Sequence, residues 1–340
     1  WLAFLYKDTD EASDYIKSAE KANPAFVFPF RQESKAVFEW AMSVSKSWKP
    51  VYSMVLLHGF RNNTETAKRM LFYLNNTPGF SPFYVLRASY QTGDAKETDL
   101  IQAVKYTPGE WRYVHQLTRF YISQKAYEKA LKTIEPLYAK KREHFQTGSL
   151  YAKVLICNRQ YAKADDVLSK TFILPFEGER GGRLFYQEIK FMLALNALKK
   201  GQVQQAQKRI EESLLWPRNI GAGKPYEENI DYRMENWLLA ISFLKTGDKK
   251  TAHEYLQKVA LSTHSKISIY ALLQSLALSY LDKPDEASGL YRQWYDAQKS
   301  DNLKKWGETF YLKNKGKDYP FDYEHLAQMI GLISGTEDIR

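Results

Sequence analysis

The chain has 340 residues, of which 44% are hydrophobic and 26% are charged, and its formal net charge is +10. Its longest apolar stretches, such as residues 191–198, are far shorter than the ~18 residues that a membrane-spanning helix needs. The single cysteine, Cys157, excludes a scaffold held together by intramolecular disulfides. Because the basic residues are spread along the chain and form no recognisable motif, we do not expect a nucleic-acid partner.

In chain order, predicted helices alternate with short turns, and an alanine recurs soon after each turn. Ala130 and Ala164 are 34 positions apart, and the residues around them repeat with the same offset. The recurring alanines are Ala12, Ala67, Ala95, Ala130, Ala164, Ala206, Ala252 and Ala287. A period of about 34 residues predicts a tandem array of helix pairs.

Small side chains have a mechanical purpose in such an array. An alanine early in the second helix of a pair lets the first helix cross at close range. Its predicted counterparts on the first helices are also small or slim: Val55, Thr118, Ala152, Ala194, Ala240 and Ser275. The turns carry glycine, aspartate or asparagine, which suit a helix end followed by a new helix start.

This pattern resembles the tetratricopeptide repeat (TPR) family over essentially the whole chain, although the family's tryptophan and Gly-Tyr pair are mostly replaced. The resemblance implies an all-α, right-handed solenoid of antiparallel helix pairs, with about seven irregular repeats, over residues 1–340. We expect an additional helix near 32–47, inserted loops near 175–182 and 217–230, and a C-terminal capping segment over 301–340.

A second resemblance is narrower. Residues 216–226 are similar to a stretch in the C-terminal repeats of large bacterial proteins of the DUF5107 type, in which the repeats follow a β-sandwich portion that looks like carbohydrate-active enzymes. The chain also begins within an apolar pattern at Trp1. We therefore expect a piece of a longer bacterial protein, from the cytoplasm or the periplasm.

No catalytic pattern is visible in the sequence. The six histidines form no His-x-x-x-His pair, there is no CxxC pair, and no Gly-x-Ser-x-Gly motif is present. Residues 221–224 lack the strand and the Lys-Ser/Thr ending of a phosphate-binding loop. We therefore expect no enzyme activity, metal ion or cofactor.

TPR arrays bind partners on the surface lined by their first helices. The rows of the two central first helices that would face a partner carry Arg112, His115, Arg119, Gln146, Ser149 and Lys153. These polar and mainly basic residues predict a groove for a peptide, in the way that basic clusters of the family hold a carboxylate. None of the asparagines of that carboxylate clamp is evident.

Later first helices carry apolar residues on the corresponding rows, including Phe191 and Trp237. They suit either the core, which we favour, or an exposed apolar patch that the C-terminal segment covers. The inserted loops offer further contacts through Arg218, Lys224 and Tyr226, because long loops on a rigid scaffold often carry binding residues.

The leading hypothesis is a non-catalytic scaffold that binds a protein, a peptide or another domain of its own polypeptide through a centrally basic groove. The alternative is a helical accessory module of a carbohydrate-processing protein, with loops 177–182 and 218–226 touching glycan. A third hypothesis is a segment that only spaces or dimerises the parent protein.

Overall fold

The computed structural model describes residues 1–175, 180–315 and 322–338. Within these residues every regular element is helical, and the chain forms two compact units, residues 1–125 and 126–340. None of the helices described is long and apolar enough to span a membrane. The boundary between the units falls in a turn between two helices, and each unit has its own core.

Unit 1 contains eight helices among its residues. They are α1 (Leu2–Leu5), α2 (Glu11–Lys21), α3 (Ser34–Val44), α4 (Trp48–Phe60), α5 (Thr64–Tyr73), α6 (Ser81–Ser89), α7 (Gly93–Tyr106) and α8 (Trp111–Ser123). The segment in which we expect an additional helix, residues 32–47, contains α3. Helices α4 and α5 form one hairpin, and α6 and α7 form the next.

Unit 2 has eleven α-helices among its described residues. They are α9 (Tyr127–Lys140), α10 (Phe145–Cys157), α11 (Tyr161–Lys170), α12 (Gly181–Lys199), α13 (Val203–Ser213), α14 (Arg233–Lys245), α15 (Lys249–Ala260), α16 (Ala271–Tyr280), α17 (Pro284–Ala297), α18 (Asp301–Asn314) and α19 (Tyr323–Ser334). Consecutive hairpins pair α10 with α11, α12 with α13, α14 with α15 and α16 with α17.

The hairpins are held at the small residues. Among the alanines of the second helices, Ala67, Ala164, Ala206, Ala252 and Ala287 have no exposed surface. Within unit 2, their first-helix counterparts Ala152, Ala194, Ala240 and Ser275 are also fully buried. Close packing of two backbones leaves no room for larger side chains at these positions. The all-α fold of stacked helix pairs is confirmed.

The α6–α7 hairpin departs from this rule, and Ala95 is exposed there. Ala88 on α6 and Ala103 on α7 are buried in this hairpin, and a buried ion pair also joins the two helices. In this pair Arg87 donates from Nε and from a terminal nitrogen to both carboxylate oxygens of Asp99, at 2.8 and 2.6 Å. A bidentate pair of this kind constrains the relative orientation of the two helices in addition to attracting them electrostatically.

Each hairpin turn of unit 2 carries one residue with a positive φ. These residues are Arg159, Gly201, Gly247 and Asp282, with φ of 58°, 73°, 81° and 55°. A left-handed residue after a helix lets the last amides bond back to the helix and reverses the chain within a few residues. Arg159 and Asp282 adopt this conformation without being glycine, which costs each about 1 kcal/mol.

The two loops in which insertions are expected lie next to each other in unit 2. The first is partly outside the described residues, at 176–179. The second contains two short 3₁₀ helices, Arg218–Ile220 and Glu227–Asn229. The backbone amide of Ile173 donates to the Asn219 carbonyl at 2.8 Å, and the Asn219 side chain donates to carbonyls at the end of α11. These bonds hold the second loop against the end of α11 and the residues that lead into the first loop.

Candidate partner-binding face

The six residues expected to form a basic groove are divided between the units. Arg112, His115 and Arg119 lie on α8 in unit 1, whereas Gln146, Ser149 and Lys153 lie on α10 in unit 2. Within each helix the spacing of three and four positions places the three residues on one face. Each set therefore belongs to the surface of its own unit.

On α8, two of the three side chains are accessible. Arg112 is exposed, donates to a Glu110 carboxylate oxygen at 2.8 Å and lies over the Trp111 ring at 4.6 Å. Arg119 is exposed, but His115 is only 1% exposed and packs edge-on against Trp111. His115 consequently supports the shape of the helix surface and is not offered to a partner.

On α10, Gln146 is exposed, while Ser149 and Lys153 are half-buried. The Lys153 ammonium lies 5.9 Å from the centre of the Phe185 ring on α12. Phe185 begins a second row on α12, followed at the same helical spacing by Glu188 and Met192. We define the first-helix face of unit 2 by these rows on α10 and α12, whose members are Gln146, Ser149, Lys153, Phe185, Glu188 and Met192.

Glu188 is the residue of this face that sequence reasoning missed, because a single glutamate in a helix looks like a solvated charge. It is only 4% exposed. Burial raises the pKa of its carboxyl group to about 7, although the Ser334 and Thr336 hydroxyls and the charge of Lys153 act in the opposite direction. The useful signal in the sequence was the periodic row that Glu188 shares with Phe185 and Met192.

The C-terminal helix α19 lies on this part of α12. The Thr336 hydroxyl donates to one Glu188 oxygen at 2.7 Å, and the Ser334 hydroxyl donates to the other. Between α19, α12 and the α10–α11 turn is a polar cavity of about 450 Å³, and Cys157 is part of its lining. Burial raises the pKa of the Cys157 thiol to about 12.

The aromatic residues expected as alternative contacts belong to the core. Phe191 and Trp237 are each 3% exposed, and Trp237 stacks on Tyr280 with 5.8 Å between ring centres. The corresponding rows of α12 and α14 therefore pack against neighbouring helices. Neither ring is available on the surface of unit 2.

A separate cleft of about 1,020 Å³ lies beside the second loop and is lined by Arg183, Trp216, Gly221, Asp231 and Tyr270, among others. The Arg183 guanidinium stacks 4.2 Å from the Trp216 ring and donates to the carbonyls of Ser213 and Leu215 at the end of α13. Arg183 therefore caps the C-terminal end of α13.

The three loop residues expected to contact a ligand lie outside that cleft's lining. Arg218 is exposed, Tyr226 is 79% exposed, and Lys224 forms an ion pair of 2.8 Å with Glu227. Positions 177–179 of the other loop lie outside the described residues. No group of three His, Cys, Asp or Glu side chains in the described parts of the chain could hold a metal ion.

The helix hairpins, the buried alanines at their crossings and their left-handed turns are the features of a TPR-like fold. No family model matches the chain, and no curated protein matches it. The narrower DUF5107 resemblance therefore has no support beyond its short motif.

Among solved structures, the chain is similar to that described as the crystal structure of the yeast Tom70, with a TM-score of 0.40 and 13% sequence identity. The match covers 89% of this chain, and the chain spans 59% of the Tom70 chain. A superposition this loose carries no argument about function, so the fold assignment stands on the hairpins themselves.

Proposed function

We propose that this chain is a non-catalytic protein-interaction scaffold, and that the first-helix face of unit 2 binds an acidic peptide segment. The segment comes from a partner protein or from another domain of the same polypeptide. The observation that carries the proposal is the row on α10, where Gln146, Ser149 and Lys153 follow helical spacing yet stay accessible between buried neighbours. Packing of the hairpins does not require polar residues there.

Electrostatics supports an acidic partner. The chain carries a formal net charge of +10, which raises the local concentration of anionic segments and speeds their association at low salt. Lys153 is half-buried against Phe185, so an acidic group bonded to it would be partly shielded from water. In unit 1, the exposed Arg112 and Arg119 form a second cationic surface, which also attracts anionic segments.

Peptide selection tests this proposal. Displayed random peptides are selected on the immobilised full chain, and the dissociation constant of the best binder is measured by fluorescence anisotropy at several salt concentrations. We expect acidic sequences to be enriched. Lys153→Ala should weaken binding by roughly three- to tenfold and flatten its salt dependence, because one charge-assisted contact is lost. Arg112→Ala and Arg119→Ala test the α8 surface in the same way.

Lys132→Ala is the matched control, because Lys132 is an exposed cation on α9 in the same unit and lies off the first-helix face. It should change neither the affinity nor the salt dependence of the selected peptide. Equal affinity and equal salt dependence for Lys153→Ala and the unmodified chain would contradict the proposal.

The alternative, a glycan-binding accessory module, has one observation in its favour. The cleft beside the second loop offers the Trp216 and Tyr270 rings together with Asp231, and aromatic rings with polar neighbours suit sugars. The expected loop contacts Arg218, Lys224 and Tyr226 do not line that cleft, which favours the peptide-binding proposal.

A further inference from the structure

The C-terminal helix α19 is held at both ends by side chains of unit 2. At its start, two ammonium groups lie over the Tyr323 ring. Lys199 on α12 and Lys245 on α14 are each 5.6 Å from the centre of this ring. At its other end, the hydroxyls of Ser334, the last residue of α19, and of Thr336, just beyond it, donate to the two Glu188 oxygens. Two first helices of the unit, α12 and α14, therefore share in holding α19.

These contacts fix the direction of α19. Its start lies at the end of α12, near Lys199, and its last residues lie nearer the start of α12, at Glu188. The helices thus run antiparallel. Glu188 to Lys199 and Tyr323 to Ser334 each cover eleven helical steps, about 16 Å along the axis. The distance between the anchors on α12 consequently matches the length of α19.

Between its ends, α19 binds through an apolar stripe. Leu326, Met329 and Ile330 are buried, and their spacing of three and four positions places them on one side of the helix. This is the pattern by which an amphipathic helix lies in a groove of another protein. On its flank, the Gln328 side chain accepts a bond of 2.9 Å from the Trp306 indole on α18.

The surface beneath α19 differs from the core between the hairpins. The polar cavity of about 450 Å³ between α12 and α19 is lined by charged and polar groups, including Glu188, Asn196, Lys199, Glu324 and Glu337. Of these groups only Glu188 is buried, whereas Asn196, Lys199, Glu324 and Glu337 are exposed, so water reaches the contact between α19 and α12. Permanent interfaces are more apolar than interfaces that form and dissociate. The α12 surface is therefore better suited to an exchangeable helix than to a permanent core contact.

We propose that α19 occupies, within its own chain, a binding surface for an amphipathic helix, and that a partner helix of the same pattern binds by displacing it. The partner has an aromatic ring for the two lysines, an apolar stripe of the Leu326–Met329–Ile330 type, and a hydroxyl or another donor for Glu188. This inference rests on the proposed function, because the displaced helix covers Glu188 and Met192 of the first-helix face.

The test uses the full chain and a fluorescein-labelled synthetic peptide of residues 322–338 as the probe. The double variant Ser334→Ala/Thr336→Val removes both hydroxyl donors to Glu188 and no buried apolar group, so we expect it to fold. Its control is Ser288→Ala/Thr309→Val, which removes two surface hydroxyls on α17 and α18. Met329→Asp is a second, stronger variant that disrupts the apolar stripe.

Two quantities are measured for each variant. The first is the labelling rate of Cys157 by a thiol reagent, because Cys157 is the only cysteine and lines the cavity beneath α19. The second is the dissociation constant of the probe by anisotropy. Loss of α19 docking should raise the labelling rate about tenfold or more and lower the dissociation constant of the probe by the same factor. Both quantities depend on the fraction of molecules in which α19 has left α12.

Unchanged labelling in both α19 variants would overturn the inference, because α19 would then be a fixed part of the fold. Faster labelling without tighter probe binding would also overturn it, because the uncovered face would then not bind a helix. In either case, Lys153-dependent binding of the selected acidic peptide would leave the proposed scaffold function standing. Loss of that binding as well would contradict both the displacement of α19 and the proposed scaffold function.

Discussion

Glu188 shows how a single side chain connects the fold to the candidate function. Both of its carboxylate oxygens accept hydroxyl bonds from residues about 146 positions further along the chain. Burial raises the pKa of this carboxyl group to about 7, so it is largely protonated below that pH and charged above it. The charged and titratable groups around it are Lys153 and Cys157 on α10, Arg159 in the turn that follows, Tyr127 on α9, Tyr161 on α11, and Lys199, Glu324 and Glu337.

The sign of the resulting pH dependence follows from proton binding. The folded state binds a proton at Glu188 up to about pH 7, whereas the unfolded chain releases it near the ordinary glutamate pKa of 4.5. Folding stability from this group is therefore highest below about pH 4.5 and falls as the pH rises towards 7, by up to about 3 kcal/mol.

Glu188→Gln should remove this loss of stability. We expect the variant and the unmodified chain to have similar melting temperatures at pH 4, where Glu188 is largely protonated in both the folded and the unfolded chain, and the variant to be more stable by several degrees at pH 8. Glu211→Gln, at an exposed position on α13, controls for the loss of one carboxylate. A melting-temperature difference between Glu188→Gln and the unmodified chain that is the same at both pH values would contradict the assignment.

At the scale of the helix, the crossing alanines decide how closely two helices of a hairpin approach. On α11, Ala164 is fully buried where α11 crosses α10, while Ala162 on the same helix is exposed. The pair therefore separates the effect of packing from the effect of helix propensity.

Ala164→Leu should destabilise the chain by about 1–3 kcal/mol, because the added atoms force the two helices apart. Ala162→Leu should change the free energy of unfolding by no more than about 0.5 kcal/mol. Urea unfolding of both variants gives the comparison. Equal effects of the two replacements would mean that the alanine does not set the distance between α10 and α11.

The hairpins could be predicted from the sequence because their determinants are local and recur at a fixed offset. A small residue at each crossing and a turn residue before it are visible without knowledge of distant contacts, as at Ala164 and Ala206. Ala95 was misleading, because the buried alanines of the α6–α7 hairpin are Ala88 and Ala103, and the Arg87–Asp99 ion pair also joins its helices. An ion pair between helices has no repeat signature.

The candidate site was harder to predict, because side-chain burial depends on residues far apart in the chain. Arg112, Arg119 and Lys153 lie at accessible positions, as helical spacing suggests, but His115, on the same face of α8 as the two arginines, is buried and packs on Trp111. The burial of Glu188 comes from α19. The sequence predicts a C-terminal capping segment over residues 301–340, but only the three-dimensional arrangement shows that α19 covers Glu188 on α12.

At the scale of the whole molecule, two compact units share one chain with a formal net charge of +10. The proposed binding face and the helix that covers it both belong to unit 2. A partner that binds there should therefore change unit 2 in two opposite ways, by covering α10 and α12 and by releasing α19.

Amide hydrogen exchange of the full chain, free and saturated with the selected acidic peptide, tests the proposed binding face most directly. We predict slower exchange in residues 145–157 and 181–199 and faster exchange in residues 323–334. Protection confined to the loop at 217–230 would favour the glycan-type site beside it. Unchanged exchange throughout α10 and α12 would contradict the claim that the first-helix face of unit 2 binds the partner.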